Sequence, residues 1–327
     1  MNWNREKTAL VTGATGVIGP VLIRCLLREG YQVRALIRRD AGKRILPNNL
    51  EIRVGDITDT HGLNEAAAGV DVIYHLAAKL HLDHPDPLHK EEYKKVNVEG
   101  TRHVVDAART NDVRRFIFFS TINVYGPGQP GLVYNEDSPI HPDSWYARTK
   151  AQAEDIVLDS LPSVVLRLAA VYGPGMKGNY PRLLEAIHRG YFLMVGDGLN
   201  RRTLVFLKDV CQAALLAAEL PQAVGQIYNV TDGEVHTLGE IVGSICKVLG
   251  KRPPRFELPR GLIRPAFGLM EDGLRLLGRR SPIGRSTADK FLEDLAASGD
   301  RIKEKLGFKP QYDLLRGWHE TVQSMND

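Results

Sequence analysis

The sequence predicts an α/β protein built on a doubly wound parallel sheet, with a smaller mixed α/β domain after it. Residues 8–19 read TALVTGATGVIG, in which a buried strand runs into a glycine-rich turn and a helix start. Strand and helix patterns then alternate as far as a fifth strand at residues 115–120. These strands are almost continuously apolar, which is typical of a parallel sheet buried on both faces. Together the three observations indicate a Rossmann fold.

The glycine-rich turn predicts a dinucleotide site. Gly13 permits a sharp turn, Gly16 lets the backbone approach a pyrophosphate, and Gly19 lets the helix pack closely on the strand. The first amides of a helix are unpaired and lie at the positive end of its dipole, so they attract a phosphate. We expect cofactor contacts from Gly13, Thr15, Gly16, Val17, Ile18 and Gly19.

The ends of the next strands predict further cofactor contacts. The second strand ends at Arg38 with no acid to hold a ribose 2′-hydroxyl, which favours NADP over NAD; a solvated arginine is the alternative. Asp56 can accept from an adenine amino group while Ile57 packs on the ring, or Asp56 caps a following helix. The strand at residues 70–76 ends in small residues that let a dinucleotide pass close by. Further cofactor contacts are expected from Leu76, Ala77, Ala78 and Asn97. Asn97 lies inside a helix predicted over residues 91–110.

Tyr146 and Lys150 predict hydride-transfer chemistry. They stand four residues apart on a predicted helix, so both side chains emerge from one face, although a solvated helix face is the alternative. An ammonium one turn away favours the phenolate, so we expect Lys150 to lower the pKa of Tyr146 toward neutrality. Thr121, at the end of the fifth strand, can bind the same substrate oxygen. The predicted catalytic set is therefore Thr121, Tyr146 and Lys150, and the last two should also contact the cofactor.

Length and composition exclude several classes of protein. The 327 residues suffice for one large or two unequal domains. The formal charge of +4 is small, we expect it to be spread along the chain, and no basic block with interleaved aromatics predicts nucleic-acid binding. Cys25, Cys211 and Cys246 fit neither a zinc site nor a disulfide framework, and the histidines at residues 75–89 predict no metal. With no apolar run of spanning length, we expect a cytoplasmic protein.

Six motifs carry a family resemblance. TGATGVIG, GDITD, HLAA, VNVEGT, STINVYG and YARTK occur in this order. The chain resembles the extended short-chain dehydrogenase/reductase superfamily over essentially its whole length, and within it the NAD(P)-dependent nucleotide-sugar epimerase/dehydratase/4-ketoreductase family. The resemblance implies that Thr121, Tyr146 and Lys150 are catalytic and that the backbone of Ala170 and Val171 lies beside the nicotinamide.

The resemblance also implies the organisation of the chain. A NAD(P)-binding Rossmann domain is expected over residues 1–172, with residues 199–230 returning to it, and a mainly substrate-binding domain over residues 173–327. A homodimer through the helices at Glu91–Thr110 and Tyr146–Leu158 is usual for such proteins. One departure is Trp145, which stands where nucleotide-sugar members usually carry proline.

Substrate contacts are predicted in both halves of the chain. Residues 196–210 resemble a segment whose arginine, here Arg202, binds the substrate diphosphate; a salt bridge that organises the turn is the alternative. Asn179 stands at the start of a predicted helix, where its side-chain amide either caps the helix or binds a ligand phosphate. Asp209 is predicted as the N-cap of a later helix. Arg279, Arg280 and Arg285 are further diphosphate candidates, with Arg285 best placed. The predicted substrate contacts are Lys79, Thr121, Asn123, Asn179, Arg202 and Arg285.

The function that these expectations predict is NAD(P)-dependent hydride transfer at C4 of a nucleotide-diphosphate sugar. A 4-epimerase or 4-ketoreductase with Tyr146 as acid/base, which would build surface polysaccharide precursors, fits best. A 3β-hydroxysteroid or flavonol-type dehydrogenase is the alternative, motivated by Trp145 and by the apolar stretch at residues 258–277. That stretch either packs over the substrate cleft or lies on a membrane surface. A non-catalytic NADP-sensing or scaffold protein is the third possibility.

Overall fold

A parallel sheet runs through the centre of the protein. The computed structural model describes residues 7–38, 45–80, 89–254, 257–278, 281, 284–285, 288–289 and 293–325. From one edge to the other, the seven strands of this sheet are β3 (Glu51–Val54), β2 (Gln32–Ile37), β1 (Thr8–Thr12), β4 (Val72–His75), β5 (Arg115–Thr121), β7 (Ser163–Leu168) and β12 (Gln226–Val230). The strand order reverses between β1 and β4, which leaves a crevice at their carboxyl ends where ligands of such folds bind. The predicted Rossmann fold is confirmed.

Helices cover both faces of the sheet. Their bounds are α1 (Gly19–Arg28), α2 (Leu63–Ala67), α3 (Lys90–Tyr93), α4 (Gly100–Thr110), α5 (Trp145–Leu158), α6 (Asn179–Arg189), α7 (Leu207–Glu219), α8 (Leu238–Val248), α9 (Arg260–Leu276), α10 (Asp300–Leu306) and α11 (Leu314–Gln323). On one face, α1 and α7 bury Leu22 and Val210 in one core cluster. On the other face, α4 and α5 bury Val104 and Ala153 in a second cluster. Burying each large apolar side chain contributes roughly 1.5–3 kcal/mol, so these layers hold the crevice in place.

A π-helical turn interrupts the helix that we predicted over residues 91–110. The turn spans Lys94–Glu99 and joins α3 to α4. It contains Asn97, whose side chain is 1% exposed. A π-helical turn contains one residue more than an α-helical turn, and here it directs the side chain of Asn97 into the protein. Such π-helical turns occur frequently at functional sites. An apolar periodicity carries no signal for this insertion, so the sequence predicted an unbroken helix.

Short strand pairs build the remaining part of the protein. They are β6 (Val133–Tyr134) with β15 (Ala296–Ala297), β8 (Ala170–Tyr172) with β11 (Leu204–Phe206), β9 (Met194–Val195) with β14 (Glu257–Leu258), and β10 (Arg201–Arg202) with β13 (His236–Thr237). A third core cluster joins α6, α8 and α11 around Tyr172, Phe206 and Trp318. Strands of two or three residues are too short to show alternation, so the sequence did not predict them. The domain division near residue 172 stays a prediction.

Asp209 does not cap α7, contrary to our prediction. It lies inside the first turn of the helix and is 1% exposed. Its carboxylate instead accepts hydrogen bonds from the backbone nitrogens of Gln311 (2.9 Å) and Tyr312 (3.2 Å). Burial raises the pKa of Asp209 to about 6, and the two backbone donors oppose that increase. The residue therefore fastens the C-terminal segment to α7.

None of the helices in the described part of the chain combines the length and apolarity that crossing a membrane requires.

Candidate active site

The glycine-rich turn follows β1 at the reversal point of the sheet. Gly13 has φ +68°, and a Cβ there would lie 2.7 Å from the backbone nitrogen of Ala77. A Cβ on Gly19 would lie 2.5 Å from the carbonyl oxygen of Ala14. Both positions therefore require glycine because another backbone segment passes too close for a side chain. Gly16, in contrast, is exposed, and its nitrogen donates to the oxygen of Gly13 at 2.9 Å.

The start of α1 has no side-chain cap, and its first amide, that of Gly19, faces no competing acceptor from a cap, whereas Val21 N donates to the Ile18 carbonyl at 3.1 Å. The N-cap residue is Ile18, which has no side-chain oxygen, and Pro20 follows in the first turn. Thr15, Val17 and Ile18 are partly exposed beside Gly16. Unpaired helix amides next to an exposed glycine suit a pyrophosphate. The residues present thus fit a dinucleotide cofactor.

The side chains of two predicted adenosine contacts, Asp56 and Ile57, interact with nearby groups of the protein. Asp56 Oδ1 accepts hydrogen bonds from the nitrogen and the hydroxyl of Thr58, both at 2.9 Å. Ile57 is 6% exposed and belongs to the second core cluster, against Gly100. The Ile57 side chain therefore packs into the protein rather than offering a free face for an adenine ring. Arg38 follows β2 and is exposed.

Asn97 holds the segment after β4 in place. Its Oδ1 accepts from the backbone nitrogen of Lys79 at 2.7 Å, and its Nδ2 donates to the Lys79 carbonyl at 3.2 Å. Nδ2 also donates to the hydroxyl of Thr149 at 3.0 Å. These bonds engage both ends of the amide, so Asn97 positions the partly exposed Leu76–Ala78 backbone. Its predicted role as a direct cofactor contact has no support in this geometry.

A buried network around His75 was missed by the sequence reasoning. His75 Nδ1 lies 2.7 Å from the hydroxyl of Thr12, and Nε2 lies 3.1 Å from that of Thr101. The Thr101 hydroxyl donates to the carbonyl of Asn97 at 2.7 Å. Burial, with a smaller effect of the Lys150 charge, lowers the pKa of His75 to about 3. A neutral imidazole thus links β1, β4 and the π turn, and only the HLAA motif marked its position.

The predicted catalytic residues lie on neighbouring elements at the same edge. Thr121 ends β5 and is 8% exposed, and its hydroxyl accepts from the nitrogen of Asn123 at 3.2 Å. Ser144 caps α5 by accepting from the nitrogen of Ala147 at 3.2 Å, which sets Tyr146 in the first turn. Lys150 follows one turn later and is 2% exposed.

The charge states of Tyr146 and Lys150 differ from our expectation. Burial raises the pKa of Tyr146 to about 12, and the nearby Tyr93 adds to the increase. Burial lowers the pKa of Lys150 to about 7 despite the opposing charge of Glu154. The ammonium lies 3.8 Å from the centroid of the Phe118 ring. We had expected Lys150 to lower the pKa of Tyr146, but removal from water dominates and favours the neutral form of both groups.

A cavity of about 220 Å³ opens beside Thr121. It is enclosed by the end of β5, the segment after β7, the start of α6 and the strand β10. Four of the predicted substrate contacts meet there, together with the predicted cofactor contact Ala170. The lining residues are Thr121, Ile122, Asn123, Leu168, Ala169, Ala170, Asn179, Tyr180, Leu183, Arg202, Thr203, Leu238, Glu293 and Leu295.

Two of the lining residues decide alternatives that the sequence left open. Asn179 is the first residue of α6, and its N-cap is Gly178 with φ +91°, so the Asn179 side chain does not cap the helix and lines the cavity instead. Arg202 Nη1 donates to Glu293 Oε2 at 2.8 Å. Arg202 thus both forms a salt bridge and faces the cavity. Sequence reasoning missed Glu293, which lies 91 residues away.

The sequence model of the NAD dependent epimerase/dehydratase family matches residues 9–231, almost the whole central sheet. The chain belongs to this family. It is 29% identical over 328 residues to the UDP-glucose 4-epimerase of Vibrio cholerae, a match that covers 97% of this chain and 95% of the relative. It is 33% identical over 320 residues to the sterol demethylase protein B of Methylococcus capsulatus, covering 93% and 94%. The structure of MoeE5 in complex with UDP-glucuronic acid and NAD matches with a TM-score of 0.76 at 26% identity, over 98% of this chain and 99% of MoeE5.

Membership in the epimerase/dehydratase family confirms two predictions. The resemblance to extended short-chain dehydrogenases is correct, and the chain is an enzyme of that NAD-dependent type. The glycine-rich turn, at which only glycine fits, is where such a cofactor would bind. The described residues contain no group of three His, Cys, Asp or Glu side chains that could hold a metal ion; His81 and His84 lie outside them.

Two of the six predicted substrate contacts, Arg285 and Lys79, do not line the cavity. Arg285 is bonded to Asp272 (2.6 Å) beside α9, and Lys79 Nζ lies 2.6 Å from Glu92. Arg279 and Arg280 lie outside the described residues. Tyr146, in the first turn of α5, is not among the lining residues. Trp145, the departure from the family pattern, lies between Lys90 Nζ and Arg148 Cζ, 5.0 and 5.1 Å from its ring centroids.

Proposed function

We propose that this enzyme transfers hydride at C4 of a nucleotide-activated sugar, as a 4-epimerase or a 4-ketoreductase. The observation that carries the proposal is the cavity that Thr121, Asn123, Asn179 and Arg202 line together. The hydroxyl and amide groups suit a sugar, and the guanidinium suits a diphosphate. The UDP-glucose epimerase of Vibrio cholerae and the sugar-nucleotide complex of MoeE5 support this substrate class.

The proton chemistry follows from the order of the side chains. The Thr121 hydroxyl donates to the C4 oxygen of the sugar and orients it. Tyr146, whose pKa of about 12 keeps it protonated at neutral pH, donates its proton to that oxygen during reduction and takes it back during oxidation. Lys150, one turn away on α5, stabilises the phenolate when it carries a charge. The bound nicotinamide supplies or accepts the hydride.

The cofactor residues act by holding the dinucleotide over the crevice. The amides of residues 17–19 would bind the pyrophosphate, and the Leu76–Ala78 backbone, fixed by Asn97, would lie along it. Arg38 is exposed at the end of β2, where its guanidinium can meet a 2′-phosphate, so we propose a preference for NADP. We further propose a cytoplasmic homodimer that contributes to polysaccharide precursors, paired through α4 and α5.

The decisive experiment is a ligand screen by thermal shift with UDP, dTDP, GDP and their hexoses. A ligand that binds only the native protein raises its apparent stability, by about 2.7 kcal/mol at one hundred times Kd. We expect one nucleotide diphosphate to stabilise the protein, and Arg202→Ala to abolish that response. No response to any of these nucleotides or sugars would contradict the proposed substrate class.

Catalysis is tested separately with Tyr146→Phe. This variant lacks the phenolic hydroxyl, so turnover should fall about 10²–10⁴-fold while NADPH titration by fluorescence stays unchanged. Thr149→Ala is not a suitable control because Thr149 bonds Asn97. Thr110→Ala is a suitable control because Thr110 lies at the exposed end of α4. Retained activity in Tyr146→Phe would show that another group moves the proton.

A hydroxysteroid-type dehydrogenase is the second candidate, and the Arg202–Glu293 pair favours it. Arg202 is the one cationic side chain among the described residues that line the cavity, and Glu293 neutralises it. A cavity without net positive charge suits an uncharged substrate better than a diphosphate. The sterol demethylase protein B of Methylococcus capsulatus supports this reading. Oxidation of a 3β-hydroxysteroid by the purified enzyme, with no response to nucleotides, would establish it.

A further inference from the structure

Helix α9 presents its apolar side to solvent. Leu262, Leu269 and Leu276 are 58%, 75% and 88% exposed, and Leu277 immediately after the helix is 73% exposed. The first three stand seven residues apart, so they lie along one side of the helix. Met270 extends this surface. The positions along the middle of this side are Leu, Pro, Ala or Gly, and the half-exposed Asp272, which pairs with Arg285, lies at its border.

The other side of α9 is already occupied by the protein. Ile263 is fully buried against Ala288, and Phe267 packs on the same small cluster. Glu271 and Asp272 are both bonded by Arg285. No described side chain of α9 belongs to the three large core clusters. The helix is therefore fixed by its inner side, which leaves the leucine side for an external contact.

The sequence of α9 and of the residues that follow it is basic. Residues 260–290 contain seven lysines and arginines but three acidic residues, a formal surplus of +4. A leucine surface inside the basic segment combines the two features by which amphipathic helices recognise anionic bilayers.

We propose that the leucine side of α9 docks on the surface of a bilayer that contains anionic phospholipids. The geometry favours a bilayer over a second copy of the chain. A 17-residue helix is about 25 Å long and ~10 Å wide, so one side of it presents roughly 250 Å² in projection. A stable dimer needs about 800 Å² from each partner. A bilayer, in contrast, accepts a single amphipathic helix, and the formal surplus of +4 in the sequence of residues 260–290 adds electrostatic attraction.

Vesicle flotation with the full-length enzyme tests this proposal. The vesicles are equal parts phosphatidylcholine and phosphatidylglycerol, and pure phosphatidylcholine vesicles serve for comparison. We expect the wild-type enzyme to float with the anionic vesicles and to bind the neutral ones about tenfold more weakly. Leu269→Glu/Leu276→Glu should lose flotation by a similar factor, with NADPH binding and thermal stability unchanged because both positions are exposed. Leu269→Ser/Leu276→Ser repeats the test without a new charge.

Leu315→Glu is the matched control, since this leucine is exposed on a different helix, α11, and should leave flotation unchanged. Failure of the wild type to float with anionic vesicles would overturn the proposal, as would normal flotation of both double variants. Sedimentation that shows a wild-type dimer and a monomeric double variant would assign the leucine side to a second copy instead.

Discussion

The guanidinium of Arg202 lies 2.8 Å from the carboxylate of Glu293 in the wall of the candidate substrate cavity. Both side chains are partly exposed, at 15% and 33%. A diphosphate that binds Arg202 must therefore compete with a carboxylate of the same chain. Measuring this competition therefore distinguishes a cavity that binds a diphosphate from one that binds an uncharged substrate.

Glu293→Gln should strengthen nucleotide binding. Removing the carboxylate releases Arg202 and removes repulsion of the diphosphate, so we expect the Kd for the best nucleotide to fall about tenfold, or ~1.4 kcal/mol. Isothermal titration calorimetry measures the change. Asp294→Asn is the control, because Asp294 pairs with Arg201 at 2.9 Å and does not line the cavity. An unchanged Kd in Glu293→Gln would indicate that Arg202 does not bind the diphosphate.

The pKa of Lys150 predicts a pH dependence of catalysis. Burial lowers this pKa to about 7, so the ammonium loses its proton as the pH rises through 7. Because kcat/KM reports the free enzyme, kcat/KM for reduction should fall about fivefold between pH 7 and 8. Lys150→Arg carries a permanently charged guanidinium and should be less active but without this decline. The same decline in Lys150→Arg would assign the titration to another group.

Removing the Asn97 amide should weaken cofactor binding, although this amide binds the backbone of Lys79 rather than the cofactor. Asn97→Ala leaves the buried backbone groups of Lys79 without their partners, which costs about 1–3 kcal/mol of stability. We expect the Kd for NADPH to rise about tenfold as the segment after β4 loosens. Asn111→Ala removes a similar amide from the exposed end of α4 and serves as the control. Unchanged NADPH binding and stability in Asn97→Ala would contradict the positioning role.

His75 should make the protein sensitive to acid. Its pKa of about 3 in the folded protein lies below the ordinary value of 6.5, so the unfolded chain takes up a proton first. The free energy of unfolding is thus unaffected above pH 6.5 and falls as the pH drops from 6.5 toward 3, by about 5 kcal/mol at most. Urea unfolding of His75→Gln should show a shallower loss over this interval. His61→Gln, at an exposed site, should follow the wild type, and identical slopes in all three proteins would refute the assignment.

Local signals predicted the residues that depend on one element and its immediate continuation. The glycines at residues 13, 16 and 19 were identifiable because a turn after a strand requires them. Tyr146 and Lys150 were identifiable because a helix brings residues four apart onto one face. Glu293 had no such signal, since it meets Arg202 only when β10 and the chain before β15 come together.

The sequence by itself determined the Rossmann fold, the glycine-rich turn and the membership of the chain in a family of NAD-dependent enzymes. These features follow from the periodicity and spacing of residues within short stretches of the chain, which do not depend on tertiary contacts. Tertiary structure decided the charge of the site and the direction in which side chains face. Burial keeps Tyr146 protonated and weakens the charge of Lys150, the π turn directs Asn97 to Lys79, and Glu293 neutralises Arg202. Packing of the inner side of α9 likewise leaves its leucines exposed, because desolvation and contact depend on neighbours that only the folded chain supplies.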